Sequence, residues 1–184
     1  ARHNGGEGDG RIDQQERTQA LVLSRAFGEA TARLGLARYD LTDATAARSS
    51  VATRQWLASL SQPLGNDYDA TLAWSSSDSD LGTGAAVNSD LLTLDVDGPA
   101  FSDKLRLAIG YTWSRNRSGA AGYDTDLREL RFRLGATPRP DGSIWEQLLS
   151  SLALETRFVS QTDPLRYDGA LNSTEVWLVS TLGF

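Results

Sequence analysis

Apolar and polar residues alternate along much of this chain. From Lys104 to Ser114, Leu105, Leu107, Ile109, Tyr111 and Trp113 form one series; Arg106, Ala108, Gly110, Thr112 and Ser114 form the other. Asp67 to Ser76 sets Tyr68, Ala70, Leu72 and Trp74 against Asp67, Asp69, Thr71, Ala73 and Ser75. Arg128 to Ala136 sets Leu130, Phe132, Leu134 and Ala136 against Glu129, Arg131, Arg133 and Gly135. Successive side chains of a strand point to opposite faces, so a period of two predicts strands with one apolar and one polar face. A soluble antiparallel sheet with one wet face meets the same pattern. The polar series points elsewhere: it mixes both signs of charge with Gly, Ala, Ser and Thr, as a crowded, hydrated lumen would.

Nine candidate strands follow, over residues 18–27, 29–41, 51–62, 67–76, 90–97, 104–114, 127–137, 144–159 and 174–184. Their connections alternate in length. Short ones fall near Gly28, at Pro63 to Asn66, at Gly98 to Asp103 and at Pro138 to Gly142. Longer polar ones span Thr42 to Ser50, Ser77 to Ser89, Arg115 to Asp126 and Ser160 to Ser173. Short turns at one end and long loops at the other are the rhythm of a transmembrane β-barrel. Residues 1–17 are polar, glycine-rich and without period, so they read as a flexible lead-in.

The last strand adds a motif. In Val176 to Phe184, Val176, Leu178, Leu182 and Phe184 share one face, interrupted by Ser180, and the chain stops on the aromatic. This ending resembles the C-terminal insertion signal of bacterial outer-membrane β-barrels, making Leu178, Leu182 and Phe184 a candidate assembly signal. The resemblance covers residues 18–184 in architecture. It implies an all-β fold, an antiparallel transmembrane β-barrel with about nine up-and-down strands visible, located in the bacterial outer membrane. It also implies three partners: outer-membrane lipid, the barrel assembly machinery, and an upstream barrel segment or other subunits. If strand nine ends in the periplasm, counting back through nine strands leaves the 1–17 lead-in extracellular. A single-chain bacterial barrel has an even strand count, so the expectation is the C-terminal portion of a larger barrel.

Composition narrows the options. The mean hydropathy of -0.36 and the lack of any long apolar run exclude a transmembrane helix, but not a barrel whose strands average out their hydropathy. There is no cysteine, so disulfides and thiolate metal sites are excluded. No methionine occurs even at position 1, so the chain reads as processed or excised. A net charge of -6 argues against nucleic acid as a partner. The single histidine, His3, lies in the glycine-rich lead-in. The Ser/His and Asp/His sites of barrel enzymes therefore cannot be built, and the expectation is a protein without catalysis or cofactor.

The candidate functional residues are side chains of the polar series. Arg33, Arg106, Glu129, Arg131, Arg133, Glu155 and Arg157 are expected to line a lumen, where ladders of charge set pore selectivity. The bland reading of the same residues is a solvated face whose charges neutralise one another. Trp56, Tyr68, Trp74, Tyr111, Trp113 and Trp145 lie mostly at strand ends on the apolar side, as an aromatic girdle would; ordinary core aromatics are the alternative. Trp177 has the opposite parity and reads as a lumen residue that stacks on a ligand or fills space. The serine- and aspartate-rich stretch from Ser75 to Asp80 lacks the spaced ligands and closing glutamate of a calcium loop, so it reads as a solvated extracellular loop. The function expected is a channel for passage or export of hydrophilic solute or polysaccharide. The alternative is a structural or adhesive barrel that binds a surface partner through acidic loops.

Overall fold

The computed structural model describes residues 14–43, 50–81, 86–119, 123–136, 152–163 and 169–180. These form nine strands: β1 (Gln14–Phe27), β2 (Ala30–Asp43), β3 (Ser50–Gly65), β4 (Tyr68–Asp80), β5 (Ala86–Ala100), β6 (Ser102–Ser118), β7 (Tyr123–Ala136), β8 (Leu152–Thr162) and β9 (Ala170–Ser180). Each pairs antiparallel with its sequence neighbour, giving one sheet in the order β1 to β9. This is the expected all-β, up-and-down arrangement. Among the described residues the sheet is open, with β1 and β9 each paired on one side only.

The strands are longer than the alternation indicates. Ser77–Asp80 belongs to β4, Ala86–Ser89 to β5, Arg115–Ser118 to β6, Tyr123–Asp126 to β7 and Ala170–Ser173 to β9. The stretch from Ser75 to Asp80, expected as a loop, is therefore strand. Likewise β1 begins at Gln14, inside the expected lead-in. The physical reason is that ladder hydrogen bonds need only backbone groups. Polar side chains end the apolar pattern without ending the pairing.

At the other end the turns are tight. Gly28 and Glu29 join β1 to β2, with Gly28 at φ +63°. Asn66 and Asp67 join β3 to β4 with φ of 53° and 63°. Two positive φ values in a two-residue hairpin match the right-handed strand twist, and Asn and Asp tolerate that region. Asp67 is thus a turn residue and not the first residue of a strand. Register shifts fall at Pro63/Gly65 and Pro99/Ala100. Proline has no N–H for the ladder, so bulges near strand ends are where it fits. The turn expected at Pro138–Gly142, the first half of the strand expected at 144–159, and residues 181–184 lie outside the described residues.

Among the described residues there is no second layer. Only the small residues Ala30, Gly35, Gly98, Ala100, Gly110, Thr125 and Ala153 are buried, and no large side chain is fully buried. The soluble sandwich alternative needs a packed apolar core between two sheets, and these strands supply none. Large apolar residues are instead exposed along the sheet, up to 74% for Leu178.

Candidate functional site

Residues directly opposite in an antiparallel pair share a face, so the register sorts every strand onto two surfaces. On one lie Leu23, Leu34, Leu60, Leu72, Leu94, Ile109, Leu130, Phe132, Leu154 and Leu178. Phe132 and Phe158 pack edge to face there, with ring centroids 6.3 Å apart. The same face holds Trp56, Tyr68, Trp74, Tyr111 and Trp113 of the expected girdle; Trp145 lies outside the described residues, as do Leu182 and Phe184.

Trp74 and Trp113 occupy one cross-strand row, either side of Leu92, with Trp56 one row beyond. Tyr68 stands six residues from Trp74, about 20 Å away at strand rise. Its ring lies over Gly98, where an added Cβ would fall 2.0 Å from a ring carbon, so only glycine fits. Beyond the tryptophans the apolar face turns ionic. Arg38 pairs with Asp40 at 2.8 Å, Arg115 with Asp124 at 2.5 Å, Arg117 with Asp90 at 3.1 Å and Arg128 with Asp126 at 3.0 Å. The Trp113 indole N–H donates to Asp126 at 2.8 Å. These contacts clothe the strand extensions that the alternation did not reveal.

The opposite face carries the expected lumen set together: Arg33, Arg106, Glu129, Arg131, Arg133, Glu155 and Arg157. One row across β5 to β9 reads Asp95, Gly110, Arg131, Arg157, Glu175. It sets two arginines directly opposite each other, an arrangement that repels. The two turn away from one another. Arg131 reaches across β6 to Asp95 at 3.4 Å, and Arg157 bonds Glu129 at 2.8 Å and Glu175 at 3.6 Å. Gly110 makes the first contact possible: a Cβ there would lie 2.9 Å from the Asp95 carboxylate and 3.3 Å from the Arg131 guanidinium. Arg106 pairs with Asp97 one row nearer the tight turns.

The expected ladder of Glu129, Arg131 and Arg133 along one strand is therefore realised across strands. Glu129 serves Arg157, while Arg133 makes no ion pair among the described residues and lies opposite Glu155. Trp177 falls on this charged face, opposite Glu155. The carboxylate partners Asp95, Asp97 and Glu175 and the spacer Gly110 were not among the expected site residues. Their parity placed them on the polar face, but parity says nothing of which residue on the next strand stands beside them.

A single antiparallel, up-and-down sheet with an aromatic-edged apolar face and a charged reverse face is the wall architecture of outer-membrane β-barrels. Solved structures of that class match this chain. A loop L8 deletion mutant of OmpT, an outer membrane protein of Vibrio cholerae, superposes with a TM-score of 0.57 at 13% identity, over 97% of this chain and 56% of that one. OmpT in its outer-membrane expressed form gives 0.57 at 12%, over 81% and 46%. The in-vitro folded trimer form gives 0.55 at 12%, over 92% and 52%. The chain thus spans about half the length of these proteins, and the likeness is one of fold. That fold belongs to bacterial outer-membrane proteins, in agreement with the location expected from the terminal strand. No protein-family model and no curated protein matches the sequence.

Proposed function

We propose that this sheet is part of the wall of an outer-membrane channel for passage or export of hydrophilic solute or polysaccharide. The observation that supports it is the pairing of the two faces. Behind an apolar face with no protein covering among the described residues lies a face of paired and unpaired charges reaching across five strands, β5 to β9. Hydrocarbon solvates the first at no cost, and water in a lumen solvates the second. The reading assigns Arg106, Arg131, Arg133 and Arg157, with their carboxylates, to the selectivity of the lumen, and it assigns no catalysis. The open edges of β1 and β9 would leave unpaired N–H and C=O groups in lipid, each costing several kcal/mol. Strands from elsewhere in the protein, or from another subunit, therefore complete the barrel.

Ion conductance across planar bilayers tests the proposal. Open-channel current is expected, with a reversal potential in a salt gradient that moves toward cation preference when Arg131 and Arg133 are both changed to Glu. A heat-resistant, membrane-inserted barrel that carries no current would overturn the channel and favour the adhesive or structural role.

A further inference from the structure

The charged rows leave one feature of the lumen-side face unused. A cavity of about 400 Å³ lies against β1 to β5, a volume suited to a small organic ligand. Val22, Leu57 and Leu91 share one cross-strand row there, separated by Gly35 and Ser75. The small residues between the large ones keep the row indented. Leu57 leans over Gly35, where an added Cβ would sit 3.2 Å from the Leu57 Cβ. The neighbouring row supplies Arg33, Ser59, Ala73 and Thr93.

Arg33 is the one charged residue among the lining residues. Its setting differs from that of Arg106, Arg131 and Arg157, each of which holds a carboxylate. Arg33 has no ion pair among the described residues, and its side chain is exposed. A guanidinium presents a planar fork of donors that matches the two oxygens of a carboxylate. Here that fork borders an apolar floor, with the Ser59 and Thr93 hydroxyls as further donors.

We infer that this cavity binds an amphipathic monocarboxylate, with its carboxylate on Arg33 and its apolar body against Val22, Leu57, Ala73 and Leu91. This deepens the channel reading, on which it rests, by naming a class of solute that dwells on the wall. A doubly charged phosphate would find one cation where it needs more. An uncharged apolar molecule would leave the guanidinium unanswered.

The test is calorimetric titration of the intact protein in lipid nanodiscs with phenylbutyrate, phenylbutanol and butyrate. Phenylbutyrate is expected to bind about tenfold or more tightly than either comparison compound, since each lacks one half of the match. Arg33→Gln should bring phenylbutyrate down to the level of the alcohol, and Leu57→Ser should weaken both phenyl compounds. The acid–alcohol comparison needs no variant, so a variant that fails to assemble does not stall the test. No binding of phenylbutyrate by the assembled protein, equal binding of the alcohol, or undiminished binding by Arg33→Gln overturns the site. Bilayer current without binding would sink the site and spare the channel; binding without current would do the reverse.

Discussion

The polar face changes character between β4 and β5, while the apolar face behind it does not. From β1 to β4 the polar face is mostly Thr, Ser, Ala and scattered aliphatics, with Glu16, Arg33 and Asp69 among its few charges, and its seam is made of hydroxyls. Thr53 and Ser79 lie 3.0 Å apart across the β3–β4 pair, and Ser61 and Thr71 3.3 Å apart. From β5 to β9 the seam is made of guanidinium–carboxylate pairs. A hydroxyl is both donor and acceptor, so neighbouring hydroxyls satisfy one another or take water in any order. A guanidinium only donates and needs an anion, so the β5–β9 half depends on which residue of one strand stands beside which of the next. The apolar face needs neither arrangement, because hydrocarbon asks only that its side chains be apolar. One surface is constrained by solvent alone, and its apolar band runs through every strand from β1 to β9; the other is free to specialise, and its two halves differ.

Charge on the apolar face should give the largest effect and should ignore the division. Leu72→Arg in β4 and Ile109→Arg in β6 are each expected to cost about 2–4 kcal/mol near the middle of the bilayer. Thr112→Arg, on the reverse face of β6, should cost much less. Reversible denaturant unfolding in liposomes measures all three. Equal costs for Ile109→Arg and Thr112→Arg would refute the facing, and unequal costs for Leu72→Arg and Ile109→Arg would show that lipid does distinguish the halves.

Next come substitutions that disturb one seam only. Gly110→Val inserts a branched side chain whose Cβ would lie 2.9 Å from the Asp95 carboxylate and 3.3 Å from the Arg131 guanidinium, and should cost about 1 kcal/mol through crowding. Thr53→Val removes the partner of Ser79 and should cost on the order of 0.5 kcal/mol. If Thr53→Val proves the costlier in the same unfolding assay, the hydroxyl seam is the more demanding of the two.

The smallest effect on stability is expected for Arg157→Met. Its side chain is 39% exposed, and water screens such pairs so that they are worth about 0–1 kcal/mol. Its effect should appear in selectivity instead. Glu129 and Glu175 lose their cation, so the reversal potential should move toward cation preference, and the shift should shrink as ionic strength rises. An unchanged reversal potential would place these charges away from the ion path.

Much of this was legible beforehand. Strand identity came from alternation at Leu105 to Trp113 and its counterparts, since only a strand sends successive side chains to opposite faces. The seven charged residues expected together share one face, and the described residues of the expected girdle, Trp56, Tyr68, Trp74, Tyr111 and Trp113, share the other. The tight turns at Gly28 and near Asn66 were legible from residues that accept positive φ. Strand length was not, because Arg115, Arg117, Asp124 and Asp126 look like loop residues in sequence yet pair across β6 and β7.

The sequence by itself determined where the alternating strand centres lie and which face each of their residues occupies, because a slip of one residue would carry every apolar side chain to the wrong side. A slip of two residues leaves both faces unchanged, so alternation is blind to it. Only the paired sheet decided that Arg131 meets Arg157 and turns across Gly110 to Asp95. Only the paired sheet set Val22, Leu57 and Leu91 in one row beside Arg33. Neighbours across strands are fixed by the whole ladder of backbone hydrogen bonds, and no single strand holds that information.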